Sequence, residues 1–168
     1  MNDNAIGIRL IKIELFSKSI AAPSGGLESY DNKNIDFNLE TEIRISVEQK
    51  LAFVLTAVQI TKKVEETEEA SFKLLSTFEF DDFDKAFKKI DNEENDVLYK
   101  ASQPLEVFLK STGVSVLRGV MYAELRGSSL QDQVLPLIDM NEIVHRDESK
   151  GTDDIAKKSL DSGNLLSD

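Results

Sequence analysis

The chain has 168 residues, 40% of them hydrophobic and 30% charged, which suits one globular domain with a core of its own. It contains no cysteine, so disulfides, thiolate metal sites and cysteine nucleophiles are excluded. A net charge of −11 repels nucleic-acid phosphate, and no basic stripe offsets it.

The first residues, "MNDNAIGIRLIKIEL", set Arg9 and Lys12 among the apolar positions and do not read as a secretion signal. The most apolar internal run, "LAFVLTAVQI", is about half the roughly 20 residues that a membrane span requires. The expectation is a soluble, cytoplasmic protein without membrane insertion.

Four stretches carry the two-residue period of strands. Residues 5–21 alternate imperfectly: Ile8 and Leu10 fall on one side and Ile11, Ile13 and Leu15 on the other, which predicts a bulge or a strand covered on both faces. "NIDFNLETEIRISVEQ" alternates cleanly. Ile35, Phe37, Leu39, Ile43, Ile45 and Val47 point one way, and Asp36, Asn38, Glu40, Glu42, Arg44 and Ser46 point the other. One face is core and the other is water. "KLAFVLTAVQITKKVEE" and "EASFKLLSTFEFDD" follow across short polar turns, as in hairpins. The long polar link "APSGGLESYDNKN" between the first two strands implies a Greek-key-like crossover. Strands of this length leave long edges, so pairing between subunits is expected.

From Asp81 the period changes. "DDFDKAFKKI" spaces Phe83, Phe87 and Ile90 for a helix behind a capping Asp. A second helix is expected in "SQPLEVFLKSTG", stopping near Gly113. A third is expected in "VSVLRGVMYAELRG", with Val114, Leu117, Met121 and Leu125 along one stripe. The fold class is therefore α+β: four long antiparallel strands in a Greek-key-like sheet, with helices packed on one face. The ordered domain is expected over residues 1–146, and a polar, disordered tail over 147–168.

The sequence offers little catalytic chemistry. His145 is the single histidine and has no nucleophile constellation near it. "EFDDFD" gathers Glu79, Asp81, Asp82 and Asp84 but lacks the turn glycine and alternating ligands of a calcium loop, so it reads as a strand end plus a helix cap. No enzyme, cofactor or metal site is expected. Phe78, Phe80, Phe83 and Phe87 form a run of aromatics that reads as core. "SSLQDQVLPLIDMNEIV", residues 128–144, holds too many apolar side chains for a free loop. It either caps the core or lines an exposed groove.

Four long strands, an acidic helical segment, a main helix and then "LPLIDMNEI" resemble the SecB export-chaperone family and its SecB-like relatives. The likeness runs over about residues 6–146 and includes "IRLIKIELFSKSIAAPSG" as a first strand entering a proline-containing crossover loop. Arg126-Gly127-Ser128 matches the turn, Val134 to Asp139 the extended apolar stretch, and Met140-Asn141-Glu142 the start of a short last helix. This chain has one proline where relatives often have two, and Val116-Leu117-Arg118-Gly119 where they have a proline–aromatic stretch. It resembles a divergent relative.

The resemblance implies an ATP-independent holdase that binds unfolded polypeptide clients, export-bound preproteins among them, and assembles as a homo-oligomer, dimer or tetramer. Client-binding positions would be Leu27, Tyr30, Leu130, Val134, Leu135, Leu137 and Met140. An acidic docking face for a translocation motor would use Asp36, Glu40 and Glu42. The alternatives are a dedicated partner of one protein such as an antitoxin, or a non-catalytic ligand-binding or interaction module.

Overall fold

The computed structural model describes residues 6–21, 34–63, 66–91 and 97–141. The predicted crossover loop, with Leu27 and Tyr30, lies outside them, as do Glu142, His145 and the tail. The chain divides into two compact units, Met1–Pro136 and Leu137–Asp168.

In the first unit, β1 (Ile8–Ile20), β2 (Ile35–Ser46), β3 (Leu51–Lys62) and β4 (Glu68–Phe80) form one antiparallel sheet in the order β1-β4-β3-β2. Three strands follow one another by hairpins, and β1 lies beside the last of them. This is the expected Greek-key order. Val47–Lys50 closes the first hairpin, with Lys50 in the left-handed region (φ 54°).

Two bulges shape β1. Its register against β4 slips between Leu10 and Lys12 and again between Leu15 and Ser17, leaving Ile11 and Phe16 as extra residues. Simple alternation placed Ile13 and Leu15 opposite to Ile8 and Leu10. The first slip corrects this: Ile8, Leu10, Ile13 and Leu15 sit across from Phe80, Phe78, Ser76 and Leu74, all on one face.

The helical segments differ from expectation. Asp82 does cap a turn, its carboxylate accepting from the Lys85 backbone N–H at 3.1 Å, but α1 lasts only from Phe83 to Ala86. The chain then extends into β5 (Phe87–Asp91), which pairs with β6 (Val97–Ala101) as a separate two-stranded ribbon. Phe83 and Phe87 are buried while Ile90 is exposed, so the predicted helical stripe is not one. The short helix is physically reasonable, since aromatic and β-branched residues at 87, 90 and 97 suit a strand as well as a helix.

The two helices predicted around Gly113 are one. α2 runs unbroken from Gln103 to Glu124, with Pro104 in its first turn. Gly113 does not stop the helix but lets it approach the sheet. A Cβ at that position would stand 2.7 Å from Thr56 Oγ1 and 3.0 Å from Val54 Cγ1.

α2 lies over β3 and β4 and reaches β2. Leu109, Val114, Leu117 and Met121 are buried on it, facing a sheet side built from Ala52, Val54, Val58, Phe72, Leu74 and Phe78. The sequence's aromatic run closes one end of this core. Phe80 meets Phe87 edge-on at 4.9 Å between ring centroids, and Phe83 meets Phe87 at 4.8 Å. Full burial of each such side chain contributes about 1.5–3 kcal/mol.

Candidate functional site

After α2, Gly127 takes a left-handed conformation (φ 77°) that glycine adopts without a Cβ clash, and the chain turns. Ser128 fixes the turn. Its hydroxyl donates to the Leu125 carbonyl at 2.7 Å and accepts from the Leu130 N–H at 3.1 Å. The predicted turn at Arg126–Ser128 is thus present. From residue 133 to 139 the chain has no regular secondary structure, and Met140 and Asn141 take up helical conformation where a last helix was expected.

The apolar side chains of this segment divide by exposure. In the first unit, Leu130 and Leu135 are buried and cap the core, whereas Val134 is 67% exposed. In the second unit, Leu137 is 93% exposed and Met140 is buried, and Asp139 Oδ1 accepts from the Asn141 N–H at 2.9 Å. The capping and exposed readings of this stretch therefore hold for different residues within it.

Arg118 holds the strip in place. From α2 its Nε donates to the Leu135 carbonyl at 3.2 Å, and Nη2 donates to the Pro136 carbonyl. Charge-assisted bonds of this kind fix direction as well as contribute energy. With Leu135 directed inward, Val134 turns out beside the start of β2. Ile35, Asp36, Phe37, Val134 and Pro136 line a shallow groove of about 420 Å³. β2 is an outer strand of the sheet, so its unpaired backbone groups lie along this side. Sequence reading missed Arg118. Its one signal was a cation beside the apolar stripe of Leu117 and Met121.

Asp36, Glu40 and Glu42 are exposed on the sheet face turned away from α2. Asp36 pairs with Lys63 at 3.3 Å. Glu42 takes a forked pair of bonds from Arg44 at 2.7 and 3.1 Å. That bond first, and then the charges of Arg44 and Lys73, hold the Glu42 carboxyl below the usual carboxylate range. The acidic side of β2 is therefore partly neutralised by its own cations.

The carboxylates of "EFDDFD" are occupied structurally. Besides the Asp82 cap, Glu79 and Asp81 pair with Arg9 at 3.0 and 3.8 Å, and Asp84 pairs with Lys50 at 3.8 Å. Among the described residues no cluster of acidic or histidine side chains is arranged to hold a metal ion. No described helix is long and apolar enough to cross a membrane.

No family model matches the chain, and no curated protein matches it in sequence. Among solved structures the fold is similar to that of a SecB-like chaperone of Mycobacterium tuberculosis, in complex with a ChAD peptide from the HigA1 antitoxin. The two share 12% sequence identity at a TM-score of 0.47, over 78% of this chain and 90% of that one.

Proposed function

We propose that this protein is a cytoplasmic, ATP-independent chaperone that binds non-native polypeptide segments in extended form. The observation that carries the reading is the strip beyond α2: Arg118 pins its backbone, Leu135 is buried, and Val134 is left exposed at the rim of the groove beside β2. A free loop would turn such side chains inward or lose its path, whereas a pinned strip keeps an apolar side chain in water. Leu137, almost fully exposed, is a second apolar side chain offered to solvent. Binding by shape and hydrophobicity, with a net charge of −11 to keep the carrier dissolved, suits clients of varied sequence.

Self-association belongs to the same proposal. β1 is an edge strand whose Leu10, Ile13 and Leu15, on the α2 side of the sheet, are 38–48% exposed. A partner subunit covering them would remove a long edge from solvent.

The test is suppression of aggregation of several unrelated unfolded proteins by wild type, Val134→Asp and Leu137→Asp. Wild type is expected to protect all of them and the two variants to protect markedly less. Protection of none would end the general-holdase reading. Protection confined to one protein would favour a dedicated partner such as an antitoxin, and variants as active as wild type would move the binding site elsewhere.

A further inference from the structure

The sheet face turned away from α2 is not simply a solvated surface. β3 is apolar on both sides: Ala52, Val54, Val58 and Ile60 are buried beneath α2, and Leu51, Phe53, Leu55 and Ala57 emerge half-buried on the other side. A strand with two apolar faces calls for cover on both. Among the described residues nothing packs over the outer one.

The neighbouring strands extend this patch. Leu75 of β4 sits across from Leu55. The second β1 bulge adds Phe16, which is 63% exposed. An inserted residue redirects its side chain, and here the insertion carries an aromatic ring to the rim of the patch. Phe16, Phe53, Leu55 and Leu75, with Arg44 and Lys73 at the sides, line a trough of about 300 Å³.

The charges of the trough are unequal in their commitments. Arg44 is forked to Glu42, whereas Lys73 closes no ion pair among the described residues and acts on Glu42 only through space. On β2, Glu42 stands in the row of Leu55 and Leu75, and Glu40 in the row of Ala57 and Lys73. An uncommitted ammonium at the edge of an apolar trough is complementary to a hydrophobic side chain followed closely by a carboxylate.

We infer that the outer sheet face is a second docking surface, distinct from the groove at Val134, and that it takes an extended peptide segment bearing an apolar side chain next to an acidic one. Phe16, Phe53, Leu55 and Leu75 receive the apolar side chain, and Lys73 receives the carboxylate.

The experiment is fluorescence anisotropy with two fluorescein-labelled hexapeptides, Ser-Val-Phe-Asp-Val-Ser and Ser-Val-Phe-Lys-Val-Ser. The Phe-Asp peptide is expected to bind about fivefold more tightly, the scale of one partly exposed ion pair. Lys73→Glu should invert that preference, and Leu55→Ser should weaken both peptides. Phe16→Ser, at an exposed bulge of an edge strand, gives the same readout if Leu55→Ser fails to fold. Val134→Asp is expected to lower the affinity for both peptides alike, through the proposed client groove, and to leave the preference for the Phe-Asp peptide intact, which separates this face from that groove. Equal affinity for the two peptides, a preference untouched by Lys73→Glu, or a preference abolished by Val134→Asp would each overturn the inference. So would a Phe16→Ser variant that changes the sedimentation of the protein but not its peptide binding, because the face would then be an interface between copies.

Discussion

The two faces of the four-stranded sheet are made by the same strands, yet among the described residues only one of them is covered. On the α2 side, Val54, Phe72, Leu74 and Phe78 are almost fully buried. On the other side, Phe53, Leu55 and Leu75 remain half-buried, although the residue types are the same. Residue type thus sets which positions are able to be core, and the reach of α2 sets which ones are. The covered side also contains a polar flaw: the hydroxyls of Thr41, Thr56 and Ser76 are buried with no hydrogen-bond partner among the described residues. Each such group costs about 1–3 kcal/mol, so apolar burial around α2 has to outweigh it.

The largest effect that would sharpen this contrast comes from removing one phenylalanine on each side. Phe78→Ala, under α2, is expected to destabilise the protein by about 3–5 kcal/mol, through lost burial and the cavity left behind. Phe53→Ala, on the outer face, should cost about 1 kcal/mol, because its ring is already partly in water. Urea denaturation of both variants decides the matter, and equal losses would mean that the outer face is covered in the intact protein.

A smaller and opposite-signed pair lies within α2. Gly113→Ala drives a methyl group into Thr56 and Val54, and the overpacking cost of about 1–3 kcal/mol exceeds the helix-propensity gain of about 1 kcal/mol. Gly119 has nothing within 4 Å of where its Cβ would be. Gly119→Ala should therefore stabilise by about 1 kcal/mol. Thermal unfolding of the two variants should move in opposite directions. A stabilising Gly113→Ala would mean that α2 sits farther from the sheet.

Much of this architecture is legible in the sequence because strand alternation is a local signal. β2 declares its two faces residue by residue, and all four long strands fall where their patterns begin and end within a few positions. What was hidden depends on partners far away in the chain. The β1 bulges move Ile13 and Leu15 to the other face, and only pairing with β4 reveals them. Gly113 looks like a helix stop until β3 is beneath it. Phe83 and Phe87 keep helical spacing, but β6 draws Phe87 into a ribbon. At the candidate site the sequence marked the apolar strip as a whole. It did not distinguish buried Leu130 and Leu135 from exposed Val134 and Leu137; at Val134 and Leu135 the division follows from Arg118, seventeen residues before Leu135, which holds the backbone there.

The smallest test concerns the charged side of the outer face. Glu42 is held below its ordinary pKa chiefly by the hydrogen bond from Arg44, and less by the through-space charge of Lys73. A carboxyl whose folded-state pKa is depressed contributes stability that is fully present above its unfolded value and is lost as pH falls through the folded one. The contribution belongs to neutral pH and fades on acidification, and exposure to solvent keeps it slight. A carbon-detected NMR titration of Glu42 should show a midpoint below the usual glutamate range. Arg44→Ala should raise that midpoint more than Lys73→Ala does, since it removes both a hydrogen bond and a charge. If the two variants raised it equally, Lys73 would be committed to Glu42 as firmly as Arg44 is, and the outer trough would have no free cation to offer a peptide.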